Sequence, residues 1–330
     1  MGYLHIENLY RPAAQIILMF KECYAMEKIH GTSTHIEYFP PLTPSSTGKL
    51  QFFSGGESHA KFITLFNESE LLTKIIDMGF GNRPFVIYGE AYGGSQQGMS
   101  HTYGNKLKFI AFDVCLEGTN WLSVPEADAF CKTLNIEFVH YVKVSTDLKE
   151  LDAQRDAPSI QAIRNGISMI VPEGADLNRP CGMKVEPYGN FGDRIANPRK
   201  REGVVLRPLI DFTDSHGNRV ICKHKGDEFR ETASPRVVED PNKLVMMEDA
   251  NKISNEWITM TRLEHVLDKI SHENCGMELL PKILPAMVDD VTREASGEIV
   301  VNDSVIKAIR AKTVSMYKEY LKRKLNEQKI

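Results

Sequence analysis

Up to Ala233 the apolar residues fall in short runs and alternations, broken by glycine, proline and polar clusters, and that pattern predicts strands. His35-Ile36-Glu37-Tyr38-Phe39 alternates as a half-buried strand does. Leu50 to Ser54, Phe85 to Tyr88, Lys108 to Val114, Phe138 to Val144 and two stretches around Leu206 and Cys222 continue the series. Helices interrupt it. Leu71, Leu72, Ile75 and Ile76 give an inward face to a helix from Ser69 to Met78, closed by Gly79. Ser123 and Glu126 have capping-box spacing, with Pro125 in the first turn, for a helix running to Leu134. A charged helix follows from Asp147 to Asp156. Residues 40–48 and 165–197 read as loops, and Asp214 to Asn218 as a hairpin-like turn. Residues 1–26 form a lead-in whose Ile16, Ile17, Leu18 and Phe20 are buried.

The pattern changes after the stretch from Ala233 to Asn242, which reads as a linker. Ile253, Trp257, Met260, Leu263, Leu267 and Ile270 recur at spacings of three and four, so one helix is expected there. A second runs from Met277 to Val291, started or interrupted by Pro281 and Pro285, and a third carries Ile306 to Leu325 behind an Asn302-Asp303 cap. The expectation is an α+β chain of two domains: 1–233, built from sheets with flanking helices, and an all-helical 234–330.

Composition narrows the class without naming a chemistry. The 330 residues are 42% apolar and 25% charged, ordinary for a folded soluble protein. No apolar run reaches the roughly 18 residues of a membrane span, and the start lacks a basic stretch before an apolar one, so neither membrane nor signal peptide is expected. Six cysteines without a C-x-x-C pair point to a reducing, intracellular compartment. The net charge of −4 hides an uneven distribution: from Lys307 to Ile330, eight Lys or Arg face only Glu319 and Glu327.

The chemistry centres on Glu27-Lys28-Ile29-His30-Gly31-Thr32-Ser33. A lysine between two strand-like segments, three residues before a glycine, is a nucleophile when its proton is removed, and the glycine lets backbone approach what it attacks. Alone, K-x-x-G is also what a solvated lysine beside a turn looks like. Four more segments follow in order: Phe85-Val86-Ile87-Tyr88-Gly89-Glu90; Phe109-Ile110-Ala111-Phe112-Asp113; Glu202-Gly203-Val204-Val205-Leu206-Arg207-Pro208; and Val220-Ile221-Cys222-Lys223-His224-Lys225. The ordered set, over roughly residues 20 to 232, resembles the covalent nucleotidyltransferase superfamily of polynucleotide ligases and capping enzymes. Within it, the set is most similar to the ATP-dependent RNA ligase 2 family, found in phages and among RNA-editing ligases.

That resemblance implies a nucleotidyltransferase domain of packed antiparallel sheets. It implies ATP and Mg2+, or Mn2+, as cofactors, and RNA ends as partners, nicked duplex RNA among them. Lys28 would take AMP from ATP, with His30 serving the later steps. Lys223 and Lys225, alternating on one strand and so facing one way, would neutralise the phosphates. Glu27, Ile29 and Glu90 would bind the nucleotide, Phe112 would stack on the adenine, and Glu202 would bind nucleotide and metal. Lys184 and Arg207 are further phosphate contacts. The sequence departs from the family after Ser54, where many relatives carry an arginine, leaving Lys49, His59 and Lys61 as substitutes. Ser33 stands where many carry asparagine. The competing readings are a capping guanylyltransferase or DNA ligase, and a non-catalytic RNA-binding protein on the same fold.

Overall fold

The computed structural model describes residues 2–43, 46–171, 194–235, 238, 247–270 and 276–327. After β1 (Glu7–Asn8) and a 3-10 helix over Pro12–Met19 come β2 (Glu22–Lys28), β3 (Thr32–Phe39) and β4 (Lys49–Ser54). Next are α1 (His59–Ile63), α2 (Glu68–Asp77), β5 (Phe85–Tyr92), α3 (Ser100–Tyr103), β6 (Lys108–Leu116) and β7 (Asn120–Trp121). The chain continues through α4 (Val124–Thr133), β8 (Tyr141–Ser145), α5 (Leu148–Asp156) and α6 (Ile160–Arg164). β9 (Met169–Val171) and β10 (Arg194–Ala196) pair with each other at the two described ends of the expected loop, ahead of β11 (Gly203–Pro208) and β12 (Cys222–Lys225). The remainder is helical: α7 (Ala250–Trp257), α8 (Met260–Ile270), α9 (Leu280–Glu294) and α10 (Asp303–Glu327).

Two five-stranded sheets carry the first part, in the orders β1-β12-β11-β2-β8 and β4-β3-β5-β6-β7. Every pairing in them is antiparallel except the two-residue β1–β12 contact, which is parallel. The period of two decides the layers. Cys23, Ala25, Val204, Leu206 and Cys222 point to one side of the first sheet, onto Ala14, Ile17 and Leu151. Met26 points to the other side, into the core shared with the second sheet, α2 and α4. α4 begins as expected: the Ser123 N–H donates to Glu126 Oε2 at 2.9 Å, a cap of the kind worth about 1 kcal/mol.

The helices beyond residue 247 close on a core of their own, with Trp257, Leu263, Ile283, Met287, Val291, Ile309 and Tyr317 buried together. Three expectations change here. The helix expected from Ile253 to Ile270 is two, separated at Ile258, because the Thr259 hydroxyl caps the Arg262 N–H and starts α8 afresh. Ile76 is 64% exposed rather than inward. Phe138 makes only an isolated bridge to Ala111, and β8 starts at Tyr141. The helical part is joined to the sheets by buried charge: Arg11 to Glu298, Lys223 to Glu294, and the Arg262 guanidinium donating to the Glu231 carbonyl.

Candidate active site

The first sheet's register builds the site. Lys28 on β2 lies opposite Gly203 on β11, which lies opposite Lys225 on β12; two residues along, Met26, Val205 and Lys223 form a second such row. Side chains of alternate residues share a face. Met26, Lys28, Val205, Arg207, Ile221, Lys223 and Lys225 accordingly line one cavity of about 450 Å³. β2 ends at Lys28 because the chain crosses there into the second sheet, and the crossing passes close to β5. A Cβ on Gly31 would meet the Ala91 carbonyl oxygen at 2.3 Å, so glycine is required by that approach. The second sheet contributes Glu90 from β5 and Phe112 from β6, both on the cavity wall. Phe112 is the extra residue of a β-bulge: Tyr88 pairs with Asp113 and Gly89 with Ala111, leaving Phe112 without a partner. Such bulges re-aim a side chain.

At the centre is Glu202, 1% exposed. Lys28 Nζ donates to its Oε2 at 2.9 Å, His30 Nδ1 lies 3.1 Å from the same oxygen, and Lys225 Nζ lies 3.0 Å from Oε1. Burial would raise this carboxyl, but Lys28, Lys225 and His30 hold it well below the usual carboxylate range. Burial works against the Lys225 ammonium, yet Glu231 and Glu202 hold it above its ordinary value. Burial lowers Lys223, with Glu294 opposing at 3.3 Å. Burial pushes Glu90 up to about 8 against the pull of Lys28, so at neutral pH it is mostly protonated and able to donate a hydrogen bond.

Glu27 also borders the cavity, but its carboxylate is engaged on α6. It accepts from the Ser159 hydroxyl at 2.6 Å and from the Ile160 and Gln161 N–H groups at 3.0 and 3.2 Å, tying the start of α6 to β2. Ile29 is a core residue, 4% exposed, at the cavity edge. Arg207 is engaged elsewhere, its guanidinium donating to Asp113 at 2.8 Å, to the Leu122 carbonyl and to Asp211. Lys184 lies outside the described residues. Lys49, His59 and Lys61 are exposed and do not line the cavity, whereas Gln97 does.

Two walls were not anticipated. Tyr3, Leu4, His5 and Ile6 form one, from a stretch read only as a lead-in. The other comes from the helical part, with His265, Asp268, Lys269, Asp290, Arg293 and Glu294. The pocket is therefore not complete in the residues before Ala233. His265 is held by Glu231, 3.0 Å from its Nδ1, and its ring centroid lies 5.0 Å from that of His30. Burial pushes Asp268 up to about 6. A signal existed for Asp290 and Glu294: both are buried charges beside the apolar stripe of Ile283, Met287 and Val291.

The cavity thus holds the Lys28 amine, the further cations Lys223, Lys225, Lys269, Arg207 and Arg293, several carboxylates of which Glu202 is the most deeply buried, and the aromatic ring of Phe112. Among the described residues no group of three His, Cys, Asp or Glu side chains forms a metal cage. A magnesium-type ion that shares its shell with waters and phosphates needs only one or two carboxylates, and Glu202 fits that.

The family model for RNA ligase matches residues 21–225. No curated protein matches the chain. Among solved structures, the chain is similar to a Naegleria gruberi RNA ligase mutant with ATP and Mn, at 14% identity and a TM-score of 0.44, covering 69% of this chain and 56% of that one. A structure of the same ligase with pyrophosphate gives 15% identity, a TM-score of 0.42, and coverage of 69% and 57%. The chain spans a little over half the length of these structures.

Proposed function

This chain belongs to the RNA ligase family, and on that premise we propose that it is an ATP-dependent RNA ligase joining RNA 5′-phosphate and 3′-hydroxyl ends. The observation that carries this reading is the single cavity in which Lys28, Glu202, Lys225, Lys223, Glu90 and Phe112 meet. Lys28 Nζ attacks the α-phosphorus of ATP; the N–P bond forms as the bond to pyrophosphate breaks, and the amine's proton is lost. Lys223 and Lys225 hold the phosphate oxygens, where fixed positive charge counts for most in nucleotidyl transfer. Phe112 stacks on the adenine, and Glu90 donates to or accepts from the ribose. Glu202 orients Lys28 and would hold a magnesium or manganese ion, which supplies positive charge to the phosphates when bound. AMP then passes to an RNA 5′-phosphate, and a 3′-hydroxyl displaces it to seal the strand, His30 serving these later steps.

Residues 1–233 are the nucleotidyltransferase part and 234–330 the RNA-handling part in this reading, which the exposed lysines and arginines of α10 support. Nicked duplex RNA is the proposed substrate. Free, buried Cys23, Cys115, Cys131 and Cys222 support an intracellular setting, and among the described residues no helix is long and apolar enough to cross a membrane. The test is to incubate the protein with labelled ATP, GTP or NAD and a divalent ion. ATP alone should label wild type, through an acid-labile bond, and Lys28→Ala should take up no label while keeping its melting temperature. Label on Lys28→Ala, or labelling by GTP instead, would overturn the assignment. In strand joining, all-RNA nicks should be sealed far faster than all-DNA ones.

A further inference from the structure

The reaction as described leaves the N-terminal arm unused, although Tyr3 to Ile6 line the same cavity. The arm is anchored where the phosphates are read. Glu7 and Asn8 pair with Cys222 and Lys223, and the Leu9 N–H donates to the Lys223 carbonyl at 2.8 Å. From there it runs to the opposite end of the cavity, where Tyr3 meets Phe112. Their ring centroids are 4.9 Å apart at 73°, a near-perpendicular packing. Tyr3 is held from two further sides: by the rings of Tyr88 and Trp121 at 4.9 and 5.9 Å, and by its hydroxyl, which donates to Asp113 Oδ2 at 2.7 Å. Asp113 cannot yield, being fully buried and bonded to Arg207 and Arg219 at 2.8 Å each.

Phe112 needs such a support. As the unpaired residue of a bulge it is partly exposed into the cavity, and no residue of β5 lies directly opposite it in the ladder. We propose that Tyr3 is a positioning residue for the base of ATP: it fixes the plane of Phe112 on which the purine stacks. The inference rests on the nucleotide reading above and adds the N-terminal arm to it. Perpendicular packing restrains Phe112 without lying in a parallel stack over it, which suits a ring that must offer a face to a ligand. Tyr3 acts at the base end alone, since the phosphates are read by lysines at the other.

The test uses the full chain and follows Lys28 labelling against ATP concentration, with inorganic pyrophosphate as competitor. Tyr3→Leu should raise the KM for ATP about five- to tenfold, while the maximal labelling rate stays within about twofold. Pyrophosphate, which has no base, should inhibit wild type and variant equally. Tyr3→Phe keeps the ring, and Asp113 keeps both arginines, so its KM should return to within about twofold of wild type. A Tyr3→Leu protein with unchanged KM would overturn the proposal. So would a variant losing KM, maximal rate and pyrophosphate inhibition together, the mark of a residue that only holds the fold. If Tyr3→Leu fails to fold, Tyr3→Met is read by the same criteria. Wild type that takes no label from ATP would bring down the nucleotide reading itself, a failure distinct from unequal KM values in labelled proteins.

Discussion

His35 stacks on Phe53 with centroids 4.7 Å apart and planes at 17°, and is only 6% exposed. Burial holds its imidazole down at about 4, against an ordinary 6.5. It is neutral in the folded protein, while the unfolded chain takes up a proton below about pH 6.5. Between about pH 6.5 and 4 the unfolded state binds more protons, so stability is lost as pH falls through that window. His140, likewise held at about 4 by burial, acts in the same direction. His35→Phe keeps the stacking ring and removes the titration. Thermal melts from pH 7 to 4.5 should therefore show a shallower loss of Tm for the variant than for wild type. Parallel losses would show that His35 does not contribute. None of this is visible in the alternation of residues 35–39, which puts His35 on the same face as Glu37 and does not reveal the apolar contacts that desolvate it.

The pairing of β11 with β12 is the element on which the charged centre depends, and it turns on one glycine. Gly203 has φ +152°, and a Cβ there would meet the His224 carbonyl oxygen at 2.1 Å and Lys225 Cα at 2.8 Å. Gly203→Ala should cost about 2–3 kcal/mol and displace both Glu202 and Lys225. Chemical denaturation and ATP labelling should fall together; full stability with normal labelling would show that the strands can separate without disturbing the site. The two strands themselves were legible, because apolar positions flank both motifs and Lys223 and Lys225 alternate. The break between α7 and α8 was not. Both helices present apolar residues to the same core, so the spacing of three and four carries across Ile258 while the local cap at Thr259 ends one helix and begins the next.

Across the whole molecule, the helical part both closes the cavity around Lys28 and carries the basic α10, where Lys307, Arg310, Lys318, Lys322, Arg323 and Lys324 are exposed. Reversing Lys318, Lys322 and Arg323 to Glu should weaken RNA binding and flatten its dependence on salt, since each lost phosphate contact lowers the slope by roughly one. ATP labelling should be untouched, and RNA affinity equal to wild type at every salt concentration would assign these charges to solvation. Removing residues 234–330 is a harsher test. Lys28, Glu90, Phe112, Glu202, Lys223 and Lys225 all remain, but Lys223 loses Glu294, and the wall formed by α8 and α9 goes. Labelling by ATP should survive at raised KM and sealing of 5′-phosphate RNA should be lost, with circular dichroism checking the fold. A truncated protein that seals as fast as the full chain would overturn the RNA-handling role.

The order of the motifs, the strand-rich first part, the helical second part and the proposal of Lys28 as nucleophile all came from local patterns, because a period of two or of three to four, a cap, and a lysine before a glycine are properties of neighbouring residues. The partners of those residues were not. Glu27 borders the cavity, but its carboxylate is bound to the start of α6, because it sits one residue out of phase with Lys28 on β2. Arg207 is captured by Asp113, a residue 94 positions away, and Phe112 is aimed by a bulge that exists only in the pairing of β5 with β6. Glu294 reaches Lys223 across 71 positions, and Tyr3 reaches Asp113 across 110. Burial and ion pairing at such separations depend on how the sheets and helices stack, and no local spacing encodes that.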